Sequence, residues 1–269
     1  MKTSDVLKIL KAKLAAVSSE AETEAKFLIA HFLGLSPSFI AFSDEEISGD
    51  ALDLIEKAAE RRLSGEPLQY VLGEWSFMGL DFTVTPDALI PRQDTETLVE
   101  TAIGLIKERG YGSLLDICTG TGCIAVSLFR LTGIRTEASD ISPACAALAK
   151  KNAEKNGAEM TVRTADLFDG AGRYDIITAN PPYITDKDMD SLQKEVRFEP
   201  ELALRGGKDG LDVIRRIADR AGDHVNPGGA LLIEVGYGEA ESAAALFPGR
   251  KTRIIKDLNG IDRIVEIDF

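Results

Sequence analysis

Histidine is the scarcest reactive side chain in this sequence: among 269 residues there are 2, His31 and His224. That is too few for a histidine-built metal site, and it gives little support to a Ser-His-Asp triad. Cysteine is almost as rare. Cys118, Cys123 and Cys145 form no Cys-x-x-Cys pair, which suggests free thiols in a reducing compartment and a cytoplasmic location. Positive charge is also short, since 31 Lys and Arg against 44 Asp and Glu leave a net charge of -13 at pH 7. Such a surface repels phosphate backbones, so direct nucleic-acid binding is disfavoured and a basic protein partner fits better. The doublets Arg61-Arg62 and Arg215-Arg216 sit in helical patterns, where solvated charge is expected. No apolar run reaches membrane-spanning length, and Met1-Lys2-Thr3-Ser4-Asp5 lacks the apolar core of a signal peptide. These absences predict a soluble monomer that touches no membrane and holds no metal.

What is present divides by pattern. Residues 1–74 read as a small all-helical domain. Val6, Leu7, Leu10 and Leu14 make one apolar stripe. Ser19 with Glu22 predicts a capping box opening a second helix that stops near Gly34, and a third helix runs through Leu52 to Leu63. Over 75–90, large apolar residues alternate with small or polar ones around Gly79, which predicts a β-hairpin linker. Over 91–269, strand-like and helix-like segments alternate. Leu114–Ile117, Arg135–Ala138, Thr161–Arg163, Asp175–Thr178 and Ala230–Glu234 read as strands, with helices such as Pro143–Asn156 between them. Repeats of this kind imply an α/β fold, a doubly wound and mostly parallel sheet with helices on both faces. The end differs, because Arg253–Ile255 and Arg263–Val265 flank Asn259-Gly260. An antiparallel hairpin there completes a seven-stranded sheet.

Two loops carry the chemistry. Asp116-Ile117-Cys118-Thr119-Gly120-Thr121-Gly122 follows the first strand and opens a helix. Its glycines admit a ligand close to the backbone, and a helix N-terminus presents free N–H groups. Asp140, at the end of the next strand, is placed to accept both hydroxyl hydrogens of an adenosine ribose. The spacing Gly120-x-Gly122-x-x-Ala125 also satisfies the dinucleotide fingerprint, so this loop implies an adenosine cofactor without choosing between NAD and S-adenosyl-L-methionine.

The second loop is Asn180-Pro181-Pro182-Tyr183, after the run Tyr174–Ala179. Asn and Pro favour turns for backbone reasons alone, which is one reading. In the other, the Asn180 carboxamide oxygen and the Pro181 carbonyl accept both hydrogens of a planar NH2 group while Tyr183 packs on its face. A hydride-transfer enzyme has no evident use for such a loop, whereas a methyltransferase acting on a planar nitrogen does. The same register sets Asp166, and Leu167 after it, beside an adenine.

Gly65–Tyr70, Leu89–Glu96, Asp116–Gly122, Asn180–Tyr183 and Glu195–Pro200 occur in an order that resembles the HemK-like glutamine methyltransferases, in particular those acting on peptide-chain release factors. The resemblance spans essentially the whole chain. It implies S-adenosyl-L-methionine as cofactor, bound by Asp116, Cys118, Thr119, Gly120, Thr121, Gly122, Asp140, Asp166, Leu167 and Asn180. It implies that Asn180, Pro181 and Tyr183 are catalytic, and that Pro182 and Arg92 join them in binding substrate. That substrate is the Gln of the Gly-Gly-Gln loop in class I release factors, which the helical domain helps to dock. Two departures stand out. Cys118 occupies a position more often glycine, and Leu167 one that can be aromatic. Arg92 and Glu96 either shape the substrate entrance or form a structural ion pair. A ribosomal-protein glutamine methyltransferase and an adenine-N6 methyltransferase share the second loop and remain alternatives.

Overall fold

The computed structural model describes every residue from Met1 to Phe269. The chain forms two compact units, Met1–Glu74 with Gln193–Phe198, and Trp75–Leu192 with Glu199–Phe269.

The first unit is built from α1 (Thr3–Leu14), α2 (Ala21–Leu33), α3 (Pro37–Ile40), α4 (Gly49–Leu63) and α5 (Leu68–Leu72). Val6, Leu10 and Leu14 of α1, Leu28 and Ile29 of α2 and Ile55 of α4 are buried. Each helix therefore turns one apolar stripe inward. Helices α3 and α5 are too short for their periodicity to show in the sequence. Helix α2 stops as expected, with Gly34 in the left-handed region at φ 65. Its start differs, because Glu20 is the N-cap and no side chain caps the helix. Glu22 is drawn to Lys11 and Lys26 instead, at 2.6 and 2.7 Å. Arg62 also departs from expectation. It is not solvated but 4% exposed, and it pairs with Glu24 at 2.7 Å and Glu195 at 3.2 Å. A buried guanidinium needs such partners, and Glu195 supplies one from the returning 193–198 segment.

The second unit opens with β1 (Glu74–Phe77) and β2 (Leu80–Thr83), a two-stranded sheet. Met78 and Gly79 join them with φ of 51 and 73, the turn geometry that matches strand twist. Next come α6 (Glu96–Arg109), β3 (Ser113–Ile117), α7 (Cys123–Thr132), β4 (Arg135–Asp140), α8 (Pro143–Lys155), β5 (Thr161–Thr164) and β6 (Tyr174–Ala179). Short pieces follow: β7 (Ile184–Thr185), α9 (Asp186–Met189), α10 (Glu201–Leu204) and β8 (Arg205–Gly207). The chain ends with α11 (Asp212–His224), β9 (Val225–Glu234), α12 (Ala240–Ala244), β10 (Lys251–Lys256) and β11 (Asp262–Asp268).

Seven strands make one sheet in the order β10-β11-β9-β6-β3-β4-β5. Strands β5, β4, β3, β6 and β9 run parallel, and β11 and β10 close the edge antiparallel. Alternate residues serve opposite faces. Leu115, Ile117 and Ile177 pack with Ile214 and Ile217 of α11, while Leu114 and Ile176 pack with Leu98 of α6 and Val126 of α7. Strand β3 is buried at every position, as the centre of a doubly covered sheet must be. The last hairpin is not a two-residue Asn-Gly turn. Its loop runs from Asp257 to Ile261, and the Asp257 carboxylate accepts the N–H groups of Asn259 and Ile261 at 2.9 and 3.0 Å. No helix is long and apolar enough to cross a membrane.

Candidate active site

Strands β3 and β6 are neighbours whose ends align, Ile117 opposite Ala179. From β3 the chain steps outward to β4 and β5, then returns to β6 on the other side. That reversal opens a crevice beyond the carboxyl ends of the strands, where open α/β sheets bind ligands. A cavity of about 360 Å³ lies here, within the usual size range for small-molecule sites, and both loops border it.

The loop after β3 is stiffened from below. Asp116 is fully buried and does not border the cavity. Its carboxylate accepts the hydroxyls of Thr119 at 2.6 Å and Thr178 at 2.7 Å. Burial pushes its pKa up to about 7, against the pull of those hydrogen bonds. Cys118, Gly120 and Gly122 all take positive φ, at 56, 55 and 80. At Gly122 an added Cβ would stand 3.0 Å from the Ala149 Cβ, so α7 and α8 approach as they do only because no side chain intervenes. At Gly120 a Cβ would meet nothing within 4 Å, and the reason for glycine there is backbone conformation beside the cavity. Cys118 holds the same conformation with a side chain, which explains why glycine suits this position better.

Cys118, Thr119, Gly120, Thr121 and Asp140 border the cavity. Asp140 accepts the Gly120 N–H at 2.8 Å and the Ser142 N–H at 2.9 Å, one on each oxygen. Each oxygen keeps a lone pair for a further donor. Burial raises its pKa. Asp166 and Leu167 border the cavity as well, though the Asp166 carboxylate is held by Arg216 at 2.6 Å. Leu167 takes φ 52, and its carbonyl accepts the Ser139 hydroxyl at 3.0 Å.

In the loop after β6, Asn180 and Pro182 border the cavity, whereas Pro181 and Tyr183 do not. The Asn180 Nδ2 donates to Thr95 Oγ1 at 3.3 Å. Its Oδ1 is buried without a hydrogen-bond partner. Such an orphan costs on the order of 1–3 kcal/mol in free energy. It is the kind of defect found where a ligand donor is meant to arrive. Tyr183 is half-buried, its backbone lies against the spaces left by Gly206 and Gly210, and burial raises its phenol pKa.

Arg92 borders the cavity and pairs with the buried Glu199, not with Glu96. Glu199 also accepts the Ile90 N–H at 3.0 Å. Glu96 instead accepts the Met78 N–H at 2.8 Å and fixes the β1–β2 turn. Of the two readings of Arg92 and Glu96, the ion pair between them does not form, and Arg92 keeps its place beside the cavity. Sequence reasoning missed Thr95 and Glu234, which lie beside Asn180. A lone acid ending the apolar run Ala230–Ile233 was the available signal.

Comparison with known proteins decides between cofactor classes. Residues 5–73 match the model of the PrmC N-terminal domain and residues 94–198 that of the methyltransferase small domain. A release factor glutamine methyltransferase of Geobacter sulfurreducens is 42% identical over 254 residues, covering 91% of this chain and 88% of that protein. One from Bordetella pertussis is 40% identical, covering 90% and 92%. The chain belongs to the release factor glutamine methyltransferase family. The crystal structure of a methyltransferase from Pyrococcus furiosus aligns with a TM-score of 0.53 at 17% identity, over 82% of this chain and 98% of that one, and shows the shared fold.

This family member is thus an enzyme, an S-adenosylmethionine-dependent methyltransferase. Its site fits that cofactor. Asp140 has free lone pairs for ribose hydroxyls, and the Gly120 backbone is open to the cavity. The small-domain match spans both loops and Arg92's neighbour Asp94, but stops short of Glu234.

Proposed function

We propose that this methyltransferase acts on the side-chain amide nitrogen, N5, of the Gln in the Gly-Gly-Gln loop of class I peptide-chain release factors. The observation that carries the reading is the buried, unpartnered Oδ1 of Asn180 at the edge of the cavity. An amide nitrogen is a poor nucleophile because its lone pair is shared with the carbonyl. Asn180 Oδ1 and the Pro181 carbonyl each accept one of its hydrogens and hold the amide in a single orientation, which is mainly a positioning effect. S-adenosylmethionine supplies an electrophilic methyl group on a sulfonium. As the N–C bond forms and the C–S bond breaks, positive charge grows on nitrogen, and the two acceptors stabilise it. The nitrogen then loses its proton to water.

Asp140 holds the ribose hydroxyls, while Asp116 acts beneath the loop by fixing Thr119. Arg92, tied to Glu199, lines the way in. Stacking of Tyr183 on the amide plane requires its ring to turn toward the cavity. The helical unit helps dock the release factor, and the acidic surface favours a basic protein over nucleic acid. The protein acts as a monomer in the cytoplasm.

Labelled S-adenosylmethionine offered separately with release factor, ribosomal proteins and DNA tests the reading. Label on the Gly-Gly-Gln peptide of the release factor is expected. Label confined to ribosomal proteins or to DNA contradicts it.

A further inference from the structure

A buried carboxyl beside the reactive loop has no part in the scheme above. Glu234 ends β9, and the register Ala179 opposite Ile233 sets it next to Asn180 at the strand ends. It is 1% exposed and does not border the cavity. The Thr95 hydroxyl and the Asn180 carboxamide both face it and favour its charged form, while its Oε2 has no partner. Asn180 Nδ2 also donates to Thr95 Oγ1 at 3.3 Å. A donor chain running one way, from Asn180 to Thr95 to Glu234, is the arrangement these neighbours suit.

That direction has a chemical consequence. A carboxylate only accepts, so Thr95 gives its proton to Glu234 and keeps its lone pairs for Asn180 Nδ2. The carboxamide is then pinned with Nδ2 inward and Oδ1 toward the cavity. A protonated Glu234 can donate to Thr95 instead. The Thr95 hydroxyl is then free to donate to Asn180, which favours the flipped amide and turns an NH2 toward the substrate's own NH2.

We propose that Glu234 is a positioning residue for methyl transfer, fixing through Thr95 which end of the Asn180 carboxamide meets the substrate amide. The proposal rests on the amide-methylating reading above. Burial pushes the Glu234 pKa up to about 7, opposed by Thr95, Arg263 and Asn180. Asp94 faces it from the turn before α6 and raises it further, and Arg263 from β11 is shared with Asp94 and Asp257, each at 3.3 Å. Tyr183 and Cys123 complete the titratable surroundings. Switching thus falls near neutrality, with the active orientation gained as pH rises.

The test is single-turnover methyl transfer to release factor at saturating S-adenosylmethionine, from about pH 6 to about pH 8. Asp116 titrates in the same range, so the decisive comparison is with Glu234→Gln, which keeps the volume but cannot ionise. The wild-type rate should rise severalfold through neutrality. Glu234→Gln should lose that rise and run roughly tenfold slower at the upper end, with cofactor affinity unchanged. Thr95→Val should reproduce the lost rise. A flat wild-type profile, or a variant that keeps the wild-type rise, overturns the proposal. Wild-type protein that labels no release factor at any pH overturns the underlying function instead.

Discussion

The two loops at the sheet edge are satisfied to different degrees. Beneath the first, Asp116 is bonded to Thr119 and Thr178, and Asp140 holds Gly120 and Ser142. Beside the second, Asn180 Oδ1 and Glu234 Oε2 are buried without partners. The first loop is finished as a structure and offers a ligand its spare lone pairs and backbone. The second remains incomplete until a donor arrives. A loop that binds a cofactor in every cycle gains from rigidity, whereas a catalytic acceptor gains most when its bond is made only with the reacting group.

Substitutions in each loop probe this contrast. The largest effect belongs to the unfinished loop. Asn180→Ala should lower the methyl-transfer rate by roughly a hundredfold or more, about 3 kcal/mol of transition-state stabilisation, measured in single turnover. In the finished loop, Asp140→Ala should weaken S-adenosylmethionine binding about ten- to hundredfold by calorimetry, as loss of charged hydrogen bonds implies. Glu234 lies behind the unfinished loop and should show its cost as stability. Its pKa in the folded protein, about 7, exceeds the ordinary 4.5. The folded state therefore keeps its proton longer, and stability falls as pH rises through that interval. Chemical denaturation should find Glu234→Gln more stable than wild type by on the order of 2 kcal/mol near pH 8 and little changed near pH 5. The smallest effect tests strain in the first loop. Cys118→Val, β-branched at φ 56, should lower stability by about 1–2 kcal/mol, whereas Cys118→Gly should stay within about 0.5 kcal/mol of wild type.

Much of this arrangement is legible in the sequence, and the exceptions share a cause. The strands show because short apolar stretches such as Leu114-Leu115 in β3, Ile176-Ile177 in β6 and Ala230–Ile233 in β9 recur between helical patterns, and the two loops follow β3 and β6 directly. The hairpin around Asn259-Gly260 forms as expected, but the length of its loop does not show in the sequence, because Asp257 organises it through its own carboxylate. The Ser19–Glu22 capping box fails because two lysines compete for Glu22, Lys26 one turn along the same helix and Lys11 on the neighbouring α1. The burial of Arg62, Glu199 and Glu234 does not show because a charged residue reads as solvated until the fold supplies its surroundings. Their partners lie far along the chain: Glu195 for Arg62, Arg92 for Glu199, Thr95 and Asn180 for Glu234. Pairings of that kind depend on topology, and no local pattern announces them.

The two loops divide the labour, one holding the cofactor and the other the reacting amide. Cofactor affinity and single-turnover rate at saturating cofactor, measured together for Asn180→Ala and Asp140→Ala, test this division most directly. The expected result is a crossed pattern, with Asn180→Ala binding S-adenosylmethionine nearly as wild type while transferring methyl roughly a hundredfold more slowly, and Asp140→Ala binding weakly yet transferring at close to the wild-type rate once saturated. A near-normal rate of release-factor methylation by Asn180→Ala would contradict this division of labour.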